Sequence, residues 1–135
     1  MEKGGWQLCA HNGREFDFPY LGRRCIINQL PLPGMIAEIQ TKKPWEMRLL
    51  DTMALWKFGD IKSYTSLDLL TAVLDIPTPK DDMDGSKVFG VYYNESDGLE
   101  RIKTYCEKDI ATLARVLLKF TGKGGFEDEA VVVLK

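Results

Sequence analysis

The chain has 135 residues, a formal net charge of −2, 44% hydrophobic and 28% charged residues. That is a globular composition long enough to bury a core, and one ordinary domain fits it. The bulk charge does not announce a nucleic-acid binder, no window approaches eighteen apolar residues, and MEKGGWQLCAHNG lacks the apolar centre of a signal peptide.

Residues 6–10 (WQLCA) are a short apolar run that predicts a buried strand, followed by a loop over 12–16. From Asp17 to about Asn28, Phe18, Leu21, Cys25 and Ile26 recur at helical spacing, with Pro19 in the first turn, where a missing N–H costs nothing. Pro31, Pro33 and Gly34 end that helix. Residues 35–45 read as loop with a short element. Arg48–Asp51 predicts a second short strand, and Thr52–Phe58 a short helix closed by Gly59.

Ser66 is placed to cap a helix carrying Leu67, Leu70, Val73 and Leu74 on one face, stopped by Pro77 and Pro79. The run PKDDMDG, 79–85, reads as a solvated acidic loop. Residues 86–94 fit helix by spacing and strand by their β-branched and aromatic content. The strongest helix runs over Asp97–Phe120, with an apolar stripe from Leu99 through Ile102, Tyr105, Cys106, Ile110, Leu113 and Val116 to Phe120. Gly122, Gly124 and Gly125 break it, and the tail FEDEAVVVLK reads as a last strand or as disordered.

Cys9, Cys25 and Cys106 are odd in number and widely spaced, and one histidine cannot complete a Cys/His zinc set. They read as reduced thiols, which points to a cytoplasmic protein. Thiol catalysis is disfavoured because Cys9 and Cys106 sit in apolar runs with no base nearby in sequence. Between Arg14 and Lys62 eight Lys/Arg face six Asp/Glu, whereas from Ser63 onward nine face thirteen. The first stretch is therefore weakly basic.

One feature of the long helix is out of place. Asp109 falls on its apolar stripe, where a carboxylate is costly unless a cation or an arginine meets it. Tyr105 lies four residues earlier on the same face. Asp17 opens a helix directly after a strand and loop. Singly, each has a plainer explanation: Asp17 as a helix cap, Asp109 as a boundary residue with an arginine or backbone partner, Tyr105 as core, His11 as a hydrogen-bonded structural residue.

Together they resemble a known pattern. HNGREFDFPYL, 11–21, resembles the second exonuclease motif of the proofreading domains of family B DNA polymerases, and YCEKD, 105–109, resembles the third, Tyr-x-x-x-Asp. The interval YTSLDLLTAVLDIPTPKDD resembles the helix between them. Up to about Phe120 the chain is similar to the predicted 3′–5′ exonucleases of the polymerase-B-like type, a DEDDy group on the ribonuclease-H-like fold. The resemblance implies an α/β domain over 1–120, with a Gly-rich acidic tail over 121–135. It implies hydrolysis of nucleotides from single-stranded 3′ ends, of DNA before RNA, with two Mg²⁺ or Mn²⁺ ions. Asp109 and Asp17 would be metal ligands, with Tyr105 orienting the attacking water. Asn12, Arg14 and Phe16 would contact substrate, Phe16 by stacking or wedging.

The pattern's first motif, Asp-x-Glu, is missing: no aspartate here has a glutamate two positions later. Truncation, degeneration or a partner chain would each account for this, and truncation is the expectation. It implies a partial sheet lacking its first strands and self-association through an exposed edge. The alternatives are a non-catalytic nucleic-acid-binding module and a structural or interaction domain.

Overall fold

A computed structural model describes residues 5–78 and 83–133. The described residues include two strands and six α-helices: β1 (Leu8–Ala10), α1 (Asp17–Ile27), α2 (Gly34–Ala37), β2 (Leu49–Asp51), α3 (Thr52–Lys57), α4 (Leu67–Val73), α5 (Val88–Asn94) and α6 (Gly98–Phe120). The chain divides into two compact units, Met1–Ser66 and Leu67–Lys135. It is α-rich with a small parallel sheet, which is compatible with part of an α/β fold.

In the first unit β1 and β2 pair in parallel, Leu8 against Leu49, Cys9 against Leu50 and Ala10 against Asp51. Parallel strands need a long crossover, and α1 and α2 lie within it. Phe18, Ile36 and Leu49 form the buried centre, with Leu8, Ala10, Leu32, Ile39 and Met47 packed around them. Gly22 lets α1 approach α2, since a β-carbon there would sit 3.3 Å from Ile36 Cγ2.

Several expectations need correction here. The first strand is shorter than residues 6–10, and Trp6 is 80% exposed instead of buried. On α1 the apolar residues Leu21, Ile26 and Ile27 are exposed, so only Phe18 carries that helix into the core. Asp17 is not the cap: Phe16 occupies that position without a side-chain hydrogen bond. At the end of α3 the left-handed residue is Phe58, φ 45°, with Gly59 following at φ 90°.

In the second unit α4 and α5 both pack on α6. Leu70 and Val116 are fully buried, and Val91 turns the α5 face inward, so residues 88–94 take the helical alternative. A β-carbon on Gly98 would stand 2.2 Å from the Val91 carbonyl oxygen, so the turn from α5 into α6 requires glycine. Through residue 133 the described part of the tail forms neither a strand nor a featureless run. It makes a short 3₁₀ turn at Asp128–Ala130, and Arg115 on α6 holds it through the Asp128 carboxylate (2.5 Å), the Phe126 carbonyl (3.3 Å) and the Phe126 ring. Of the acidic run 79–85, residues 79–82 lie outside the described residues.

Candidate active site

The loop between β1 and α1 is built around a buried carboxylate. Asp51, 4% exposed, ends β2 and caps α3 by accepting the N–H groups of Met53 and Ala54. The same carboxylate accepts Asn12 N–H and Arg14 N–H, each at 3.0 Å. One side chain therefore satisfies a helix terminus and fixes a loop 37 and 39 residues away in sequence.

The loop needs that clamp because its backbone is unusual. Asn12 has φ 61°, a region asparagine tolerates better than most residues, and its carbonyl accepts from Glu15 and Phe16. Gly13 follows because a β-carbon would strike Ala10 Cβ at 2.3 Å and the Phe18 ring at 3.0 Å. The Arg14 guanidinium donates to the Leu49 carbonyl, so it braces the sheet.

His11 is a structural residue by its contacts: Nε2 donates to the Thr65 carbonyl at 2.7 Å, and Nδ1 meets the Thr52 hydroxyl at 2.9 Å. Since a carbonyl only accepts, Nε2 carries a proton, and the Thr52 hydroxyl that meets Nδ1 also donates to the Ala10 carbonyl at 3.4 Å.

Three groups in this unit keep binding capacity to spare, one of them buried. The Asp17 carboxylate, half-buried in the first turn of α1, forms no hydrogen bond or ion pair among the described residues. Asn12 Oδ1 is buried and lacks a hydrogen-bond partner. Phe16 is 66% exposed and stacks on Tyr20, with ring centroids 6.3 Å apart and planes at 8°.

In the second unit α6 brings Tyr105 and Asp109 together as their spacing predicts, and the Tyr105 hydroxyl is hydrogen bonded to the Asp109 carboxylate. Burial pushes the phenol up to about 12, and the charges of Asp109 and then Asp68 add to that. Asp68, on α4, is an addition to the expected set. Its sequence signal was weak, an acid in the first turn of a short helix.

Asp109 itself sits at a boundary and not on a buried stripe. Ile110 and Cys106 beside it are exposed, and the buried line of α6 runs through Thr112, Arg115 and Val116. Burial, and then acidic neighbours, raise both Cys9 and Cys106, which keeps the thiols protonated and unreactive.

A cavity of about 470 Å³ in the second unit is lined by Ile76, Arg115, Lys119, Phe126 and Asp128. It does not include Tyr105 or Asp109.

Oxygen groups of the kind that hard divalent cations prefer occur in each unit taken by itself: the Asp17 carboxylate and Asn12 amide oxygen in the first, the Asp109 carboxylate in the second. Their number falls short. No group of three or more His, Cys, Asp or Glu side chains able to hold a metal occurs among the described residues. A complete site for two dications is therefore not furnished by these residues.

The first unit thus holds a short parallel β pair with a clamped βα turn, and the second a tyrosine–carboxylate pair on α6. The family model described as "Predicted 3′-5′ exonuclease related to the exonuclease domain of PolB" matches residues 1–131, and the chain belongs to this family. No curated protein and no solved structure matches it. No helix among the described residues is long and apolar enough to cross a membrane.

Proposed function

We propose that this chain acts on the 3′ ends of single-stranded nucleic acid, DNA in preference to RNA, as a 3′–5′ exonuclease domain of ribonuclease-H-like type. Membership of an exonuclease family supports a nucleic-acid substrate. The observation that carries the chemistry is the Tyr105–Asp109 pair. Its phenol retains its proton well above neutral pH, so it can hold a hydrogen bond to a carboxylate or to a water beside it. Asp109 and Asp17 are the proposed carboxylate ligands for Mg²⁺ or Mn²⁺. Further donors are needed to complete that set.

Asn12 and Arg14 belong to the loop that Asp51 fixes, and Phe16 offers an exposed ring to the terminal base. Arg14 is the weakest member of the proposed substrate set, because its guanidinium is engaged with Leu49.

The test is hydrolysis of a labelled single strand with Mn²⁺, against a chelated control, in the full chain and in Asp109→Asn. Metal-dependent loss of 3′ nucleotides that the substitution abolishes supports the assignment. The missing Asp-x-Glu and the incomplete donor set favour one second reading, a nucleic-acid-binding module without catalysis. Salt-sensitive binding without hydrolysis would select it.

A further inference from the structure

The turn that follows α3 presents apolar side chains to solvent from a hydrogen-bonded backbone with a left-handed residue at its start. Phe58 is 94% exposed and Ile61 91% exposed. Exposure alone is unremarkable for one apolar residue, but here two occur on a turn of four residues. Phe58 is also left-handed, φ 45°, a conformation that bulky side chains seldom adopt. Nothing in the chain's own packing rewards this, since the ring has almost no contact with the rest of the protein.

The turn is nonetheless built. Asp60 N–H donates to the Lys57 carbonyl at 2.8 Å, and the Asp60 carboxylate accepts Lys62 N–H and the Ser63 hydroxyl, each at 3.0 Å. Lys57 and Lys62 flank the tip and form no salt bridge among the described residues. The other end of α3 is anchored by Asp51, the residue that clamps Asn12 and Arg14. At 1.5 Å per residue the six-residue helix carries the tip only about 9 Å from that clamp.

We propose that the Phe58–Ile61 turn is a binding element for single-stranded nucleic acid, in which the Phe58 ring stacks on an unpaired base while Lys57 and Lys62 meet the flanking phosphates. It rests on the nucleic-acid reading above and adds a contact outside both motifs. The chemistry selects this ligand. An exposed ring suits a base face, and two ammonium groups outside any salt bridge, Lys57 with the Asp60 carboxylate near enough to feel its charge, suit a backbone that carries one negative charge per nucleotide. A bulky residue held left-handed and exposed motivates a ligand at that position.

Fluorescence anisotropy with a labelled single-stranded oligothymidylate, without metal so that nothing is cleaved, tests this in the full chain. Phe58→Ala should weaken binding roughly ten-fold, and Phe58→Trp should retain it, with the new indole quenched on binding. Replacing Lys57 and Lys62 by Gln should lower the salt slope by about 1.4, at 0.7 per single-strand phosphate. Phe58→Gly should melt no lower than the wild type while binding weakly, because glycine relieves the left-handed strain; a merely structural Phe58 would show the reverse. Equal binding by Phe58→Ala and wild type overturns the proposal and leaves the nuclease reading intact. Failure of the wild-type chain to bind or cleave the strand overturns that reading as well. Concentration-dependent self-association that Phe58→Ala abolishes, with strand binding unchanged, assigns the turn to a second copy and overturns the proposal.

Discussion

The hydroxyl of Tyr105 donates to the carboxylate of Asp109 one turn along α6, and the two side chains sit at the edge of the helix's buried face. The phenol is pushed up to about 12, first by burial, then by the Asp109 charge and hydrogen bond. Folding therefore favours the protonated phenol. Its contribution to stability is fully present below the ordinary tyrosine range near pH 10 and is lost as the pH climbs toward 12. Absorbance titration of tyrosinate, taken as the difference from Tyr105→Phe, should show this late transition. In Asp109→Asn it should move down only part of the way, because burial is the larger cause.

The same pair sets an expectation for activity. Tyr105→Phe removes one hydroxyl and should lower hydrolysis of a single strand on the order of 100-fold, with little change in melting temperature. Asp109→Asn should cost at least as much. Steady-state rates beside thermal melts separate a chemical role from a packing one. Equal activity in Tyr105→Phe would reduce the pair to a helix-surface contact.

Asp51 gives a prediction about stability. Its carboxylate satisfies four backbone N–H groups, two in the loop and two at the start of α3. Asp51→Ala leaves all four without that partner in a buried place and should cost on the order of 3 kcal/mol in urea unfolding. Asp51→Asn keeps an acceptor for Asn12, Met53 and Ala54, which share Oδ1, but can turn an amide donor toward Arg14 N–H. It should cost less than alanine and still loosen the loop that carries Phe16 and Asp17.

These cases show what the sequence could reveal. Helical spacing located α1 and α6, and the i, i+4 relation alone put Tyr105 beside Asp109, because both are local facts of a helix. The second strand and the helix after it were legible for the same reason. Asp51 looked like the last residue of a strand. Its importance lies in bonds to Asn12 and Arg14 across a crossover, which no local pattern encodes. The apolar residues of α1 misled for a related cause: periodicity shows that a face is apolar, not that anything covers it, and Leu21, Ile26 and Ile27 are exposed. Phe58 was hidden because a left-handed φ is expected of glycine, and Gly59 stood next to it.

Glu38 offers a check on the electrostatics of the first unit. Arg48 donates to its carboxylate through Nη2 at 2.6 Å and Nε at 3.0 Å, and Lys42 stands 3.2 Å away. The Arg48 hydrogen bond is the main reason its carboxyl falls to about 2. Its contribution is present above the ordinary glutamate range and is lost as the pH drops from about 4.5 toward 2. A carboxyl titration by NMR should find this glutamate far below the others. Arg48→Gln should return it most of the way, with Lys42 holding it slightly low, and added salt should weaken the effect.

Gly98 tests whether the α5–α6 turn is as tight as it looks. A β-carbon there would stand 2.2 Å from the Val91 carbonyl oxygen and 3.3 Å from the Tyr92 α-carbon, both backbone atoms of α5. Backbone cannot swing aside as a side chain does, so Gly98→Ala must push α5 off α6 or unwind the first turn of α6. Arg101 and Glu95, an ion pair across the same turn, would be strained with it. The expected loss is about 2 kcal/mol, with helical circular dichroism largely kept. Gly90→Ala on α5 is the matched control, since the nearest atom to its β-carbon is the Asn94 amide nitrogen at 3.8 Å. As alanine is the better helix former, that substitution should be neutral or stabilising. If both variants melt alike, the close approach of α5 to α6 is not a constraint on the fold.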